Sequence, residues 1–312
     1  MSLLLLLAAL PTLYWTGPVE TAPTLRDAGV ERIAVPLESL QAWKAAGFEA
    51  TPLSPAAVEA REKLPVPGLQ GQAALASATR TPWVVANGWR FVRKEGGLYR
   101  YEPPMGHAAL AAAEAFAYGA DAVLKVQPSD LVELGRMLAF LREAPAPDLP
   151  AVTDIAVVDD GSALIGEVMN LLARRNLLFR PVAKRPAKGI FAVELGSREF
   201  PKQDAADPSA LAQKIRRALG DEQRSLRLYG SEVVIGRLTG DAGRARLDLV
   251  NYGGRDVVGL RVRLRGRYAV TEANVAGQGH VPVEDAVLTD EATEFTIARM
   301  AAYAVVLLPV LK

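Results

Sequence analysis

Carboxylates are the side chains in this sequence best placed to do chemistry. In proteins built on parallel strands, reacting groups collect where the strands end, at the carboxyl edge of the sheet. The exits of the apolar runs hold Glu20, Glu38, Asn87 with Trp89, Asp130, the pair Asp159-Asp160, and Glu194; Glu102 lies in the excursion after Trp83–Ala86. Hydrolysis of a glycosidic bond needs two such carboxyl groups across a pocket, one protonated and one ionised. Trp15, Trp89, Tyr99 and Tyr101 occupy the same stretches, and aromatic faces beside carboxylates suit the C–H faces and hydroxyls of sugars. Glu102 is the expected acid, with Tyr101 and Pro103 desolvating it and raising its pKa. Asp159 is the expected ionised partner, and Glu20, Trp89 and Asp130 are expected to bind substrate. Plainer roles stay open: Glu38 and Asp130 as helix caps or first-turn acids, Asp159-Asp160-Gly161 as a turn, Glu102 on an exposed hairpin.

Other chemistries find little support. The 312 residues include no cysteine, which excludes disulfides, thiol nucleophiles and thiolate metal sites. His107 and His280 are the two histidines, too few and too far apart in sequence for a His-based metal site or a Ser-His triad. No phosphate-binding loop, dinucleotide fingerprint or nucleophile elbow occurs. No cofactor or metal is expected. Basic and acidic residues number 36 and 35, a net charge of +1, which gives no general attraction to nucleic acid. Arg261, Arg263, Arg265 and Arg267 recur at every second position and read as the solvated face of a strand. The expected partner is a carbohydrate.

Leu3 to Leu7, extended through Leu10 and stopped by Pro11, has the length of a signal-peptide core and is too short to span a bilayer. Residues 1–12 are expected to be an export signal, giving a secreted or periplasmic protein that begins near residues 10–13. A buried first strand or helix is the alternative.

The elements that would position the carboxylates alternate. Short apolar strands and helical stretches follow one another from Leu13, with glycines at positions such as Gly29 and Gly47 where helices end. This βαβα order predicts a largely parallel sheet. Residues 13–145 are expected to form a barrel-like α/β domain and 151–220 a small doubly wound one, separated by the proline-containing stretch from Glu143 to Pro150. A single (β/α) barrel over both is the alternative. After Gly220 the period changes to two. Ala245, Leu247 and Leu249 alternate with Arg246 and Asp248, and Val262 and Leu264 alternate with the arginines. Residues 222–312 are therefore expected to form an antiparallel β-sandwich.

This order resembles the multidomain glycoside hydrolases of the barrel type. Val157-Val158-Asp159-Asp160-Gly161-Ser162, followed by Arg174-Arg175-Asn176-Leu177-Leu178-Phe179, is similar to the amidotransferase-like middle domain of some β-galactosidases. Leu247 to Tyr252, Gly259 to Tyr268 and Tyr303 to Val306 resemble the terminal sandwich of such enzymes. The resemblance implies a glycoside-hydrolase-like protein that acts on carbohydrate, or one that binds it after losing the active site. Many barrel glycosidases carry Asn-Glu after the fourth strand; here Asn87 is followed by Gly88.

Overall fold

A computed structural model describes residues 10–70, 83–145, 148–187 and 189–311. Residues 1–9 of the expected export signal lie outside the described residues. The chain forms two compact units. One comprises the described parts of Met1–Gly68 and Glu95–Asp148, the other those of Leu69–Lys94 and Leu149–Lys312.

Among the described residues, eight strands precede residue 125. β1 (Thr12–Tyr14), β2 (Arg32–Val35), β3 (Glu49–Pro52), β4 (Glu62–Lys63), β7 (Leu98–Tyr101) and β8 (Asp121–Leu124) form one sheet, and β5 (Gly68–Gln70) and β6 (Trp83–Val85) pair separately. The six-stranded sheet is parallel throughout, in the order β3-β2-β1-β8-β7-β4. The strands follow chain order around the sheet, with the first beside the last. That is the order of a (β/α) barrel opened between β3 and β4; a doubly wound sheet would step outward from β1 on both sides.

The first unit carries helices α1 (Ala22–Asp27), α2 (Leu40–Ala45), α3 (Pro55–Glu59), α5 (Ala108–Ala117) and α6 (Leu131–Glu143), while α4 (Gly88–Arg93) belongs to the second. Tyr101 lies on one side of the sheet, where its hydroxyl donates to Glu114 of α5 at 2.6 Å. Alternation puts Tyr14, Ala34 and Val123 on the opposite side, the one a barrel turns inward, and there Val58 of α3 packs against all three. Ser54 starts α3 by accepting a bond from the Ala57 amide at 3.1 Å, and Pro55 supplies a first-turn residue with its φ already set. Gly135 of α6 lies against α1: a Cβ there would sit 1.6 Å from the Ala28 carbonyl oxygen.

In the second unit, β9 (Ile155–Val158), β10 (Phe179–Val182) and β11 (Phe191–Val193) form a parallel sheet in the order β10-β9-β11. α7 (Ala163–Arg174) and α8 (Pro208–Leu219) contribute its core, which includes Ile165, Met169, Leu211 and Ile215. Both helices begin where the sequence places a cap: Ser162 accepts from Ile165 N, and Asp207 from Ala210 N ahead of Pro208.

The remainder is the antiparallel sandwich. One sheet runs β12 (Leu226–Tyr229), β15 (Val257–Arg265), β19 (Ala292–Met300), β18 (Glu284–Leu288). The other runs β13 (Val234–Gly240), β14 (Arg244–Asn251), β20 (Tyr303–Pro309), β16 (Glu272–Val275), β17 (Gly279–Pro282). Leu247, Leu249, Val262 and Leu264 are fully buried between them. The β15 arginines face away from that core: Arg261 and Arg263 pair with Glu294 at 3.0 and 2.7 Å, and Arg265 donates to Gln223. The other alternating strand differs in what covers its second face. Arg246 and Asp248 point away from the sandwich core yet are buried, the guanidinium donating to the carboxylate at 2.6 Å and to the Tyr303 hydroxyl at 3.1 Å. Alternation identifies a second face; it does not say whether water reaches it.

Candidate functional site

The carboxyl edge of the six-stranded sheet brings together five charged side chains. Glu102 follows β7, Lys125 follows β8, Arg100 and Lys63 sit in β7 and β4, and Glu59 ends α3. Parallel register puts Lys63 opposite Arg100, and the β7–β8 pairing sets Arg100 beside Val123, so the next same-side residues are Glu102 and Lys125. Glu102 accepts hydrogen bonds from Lys63, Arg100 and Lys125, the last at 3.1 Å. Lys125 also donates to Glu59 at 3.1 Å, and the second oxygen of Glu59 lies 2.8 Å from Arg100. Glu59 and Glu102 thus share two cations, Arg100 and Lys125.

That placement decides the protonation of Glu102. The Lys63 ammonium contributes most, with Lys125 and Arg100 adding to it and partial burial opposing; together they lower its pKa to about 2. The sequence expectation ran the other way, because Tyr101 and Pro103 were to dehydrate the group. Tyr101 is fully buried, but on the helix-covered side, while the carboxylate turns toward cations that arrive from β4 and β8. A carboxyl held ionised by three cations has no proton to give at neutral pH. Tyr14 completes the cluster. Its hydroxyl is buried, has no hydrogen-bond partner among the described residues, and has its pKa pushed up by burial and by Glu38, against Lys125 and with a smaller contribution from Glu59.

Asp159 belongs to the second unit. At the exit of β9 it takes a two-pronged bond from Arg93 of α4, at 2.9 and 2.7 Å, and accepts from Gly161 N at 2.9 Å. The Arg93 contact is the main cause of its lowered pKa. Asp160 accepts from Ser162 N, so the turn before α7 satisfies its amides with its own carboxylates. Asp154 shows the opposite shift: burial raises its pKa, against bonds from the Ser225 hydroxyl and amide. It precedes β9, at the amino edge.

The proposed binding residues are dispersed. Glu20 is exposed on a single 3-10 turn, Val19–Thr21. Asp130 is buried directly before α6; one oxygen accepts from Gly106 N at 2.9 Å and the other has no partner among the described residues. Trp89 lies in the second unit, packed in the core with Ile155 and Val168, and the Arg90 guanidinium covers its ring at 4.3 Å. Trp15, Trp89, Tyr99 and Tyr101 are all buried, so none offers a face for stacking. A groove of about 570 Å³ runs along α8, with Lys214 paired to Asp204 at its edge, and includes none of the five expected site residues.

Sequence reasoning did not identify Tyr14, Glu59, Lys63, Arg100 or Lys125. The available signal was alternation at the strand ends: Arg100 with Glu102, and Val123 with Lys125.

No protein-family model matches the chain, and no curated protein matches it. Solved structures do. An alpha-L-fucosidase isoenzyme 2 from Paenibacillus thiaminolyticus has a TM-score of 0.56 at 10% identity, over 94% of this chain and 80% of that one. A rhamnosidase from Novosphingobium sp. PP1Y gives 0.41 at 10% identity, over 69% of this chain and 31% of that one. A beta-galactosidase from Bacillus circulans sp. alkalophilus gives 0.38 at 10% identity, over 72% and 61%. The fucosidase likeness carries the fold: this chain has a glycoside-hydrolase-like architecture, with a barrel-like parallel body and an antiparallel sandwich.

Proposed function

We propose that this chain recognises carbohydrate at the carboxyl edge of its six-stranded sheet and does not hydrolyse it through Glu102. The observation that carries this reading is Glu102 bonded to Lys63, Arg100 and Lys125, which lower its pKa to about 2. The glycoside-hydrolase-like fold supports a sugar ligand, since one solved structure similar over 94% of this chain is a fucosidase. A carboxyl with a pKa of about 2 is ionised at neutral pH, which supports binding over hydrolysis through Glu102. Export through residues 1–12 is part of the same proposal and suits an extracellular or periplasmic saccharide.

The test has two arms. Purified protein is incubated with a panel of aryl glycosides, and saccharide binding is followed by calorimetry. Binding without turnover is the expected result. Turnover that disappears in Glu102→Gln would restore Glu102 as a catalytic residue and remove the proposal. N-terminal sequencing of protein expressed with its native leader checks export: a start near residues 10–13 supports it, and an intact Met1 opposes it.

A further inference from the structure

We propose that Arg100 and Lys125 form an acceptor site for the carboxylate of an acidic sugar, a hexuronate, and that Glu59 fills this site in the unliganded protein. The proposal rests on the carbohydrate reading above and adds the ligand's chemical class.

Glu59 places one oxygen 2.8 Å from the Arg100 guanidinium and the other 3.1 Å from the Lys125 ammonium. Each oxygen has its own cation, the arrangement in which a bound carboxylate would sit. Arg100 is the fixed member, with its side chain only 12% exposed. Glu59 is held less firmly. Its side chain is 55% exposed, and it ends the five-residue α3, in which Val58 is the one buried residue. An exposed ion pair on so short a helix adds little stability and opens at small cost. Tyr14 provides the second, independent observation. Tyr14 is 5% exposed, on the side of the sheet that α3 covers, and its hydroxyl has no partner among the described residues. A sugar hydroxyl reaching it from the position the Glu59 side chain vacates would satisfy that group.

The exchange preserves charge. Glu102 keeps its bond from Lys63, and the ligand carboxylate takes the position Glu59 vacates. A neutral sugar making the same approach would leave Arg100 and Lys125 short of an anion, a penalty that selects for the acidic ligand.

Calorimetric titration with trigalacturonate and with a neutral galactose trisaccharide tests this on the full chain, as wild type, Glu59→Gln and Lys125→Ala. Wild type should prefer the acidic sugar. Glu59→Gln, which removes the internal competitor, should bind trigalacturonate about tenfold more tightly and keep its preference for the acidic sugar. Lys125→Ala should lose the preference. Thermal unfolding of Glu59→Gln close to that of wild type confirms an intact fold. Equal affinity for the two sugars, or no gain in Glu59→Gln, overturns this proposal while the carbohydrate reading stands. Absence of binding to either sugar in wild type and Glu59→Gln overturns both.

Discussion

In the first unit, Glu59, Lys63, Arg100, Glu102 and Lys125 come from one short helix and from strands β4, β7 and β8, and they converge on a single point. The sandwich handles charge in two other ways. On β15, Arg261 and Arg263 lie along the strand and pair sideways with Glu294. On β14, Arg246 and Asp248 are sealed from water with Tyr303. The three arrangements use the same residue types and differ in solvent access and in the number of partners. A buried pair makes its members mutually dependent. A ladder spreads small, screened contributions. A convergent cluster fixes a protonation state and leaves charged ends exposed, which suits recognition of a ligand.

Four substitutions probe this contrast, ordered by expected effect. Asp248→Ala should cost about 3–5 kcal/mol, because it strands a buried guanidinium; a loss under 1 kcal/mol in denaturant titration would mean that water reaches the pair. Leu264→Ala, in the core shared by the two sandwich sheets, should cost about 2–5 kcal/mol by the same assay. Glu102→Gln should have a smaller, pH-dependent effect. The folded pKa of about 2 lies below the unfolded value of about 4.3, so the carboxylate stabilises the fold above pH ~4.3 and that contribution fades as the pH falls toward 2. Wild type and variant should therefore differ by a constant amount at neutral pH and converge in acid. A gap that widens in acid would reverse the sign. Arg263→Ala should cost about 0.5–1 kcal/mol or less, falling with added salt; a salt-independent loss would move the β15 ladder into the class of the buried pair.

The sequence was read correctly where the signal is local. The change from helical to two-residue periodicity after Gly220 marks the sandwich, and Leu264 and Arg263 fall on the faces their alternation assigns. Ser162 and Asp207 cap the helices they precede. Arg246 and Asp248 fall on the second face, as alternation assigns them, but alternation does not show what covers that face. Glu102 was misread for a related reason. Its neighbours in sequence, Tyr101 and Pro103, suggested dehydration, whereas its protonation depends on Lys63 and Lys125, which only the parallel register brings to it. Trp89 was taken for a sugar platform because it follows a strand; packing against Gly166, where a Cβ would meet its ring at 3.0 Å, makes it core. Asp159 was placed correctly at a strand exit, yet Arg93, from α4, turns it into a structural anion.

The central claim is that Glu102 stays ionised among Lys63, Arg100 and Lys125. Carboxyl-carbon NMR across a pH titration, with Glu102→Gln identifying the resonance, tests it directly. The midpoint should lie near pH 2. A midpoint between about 6 and 7, the range of a tuned catalytic acid, would contradict the ion-pair cluster and return Glu102 to the role the sequence first suggested.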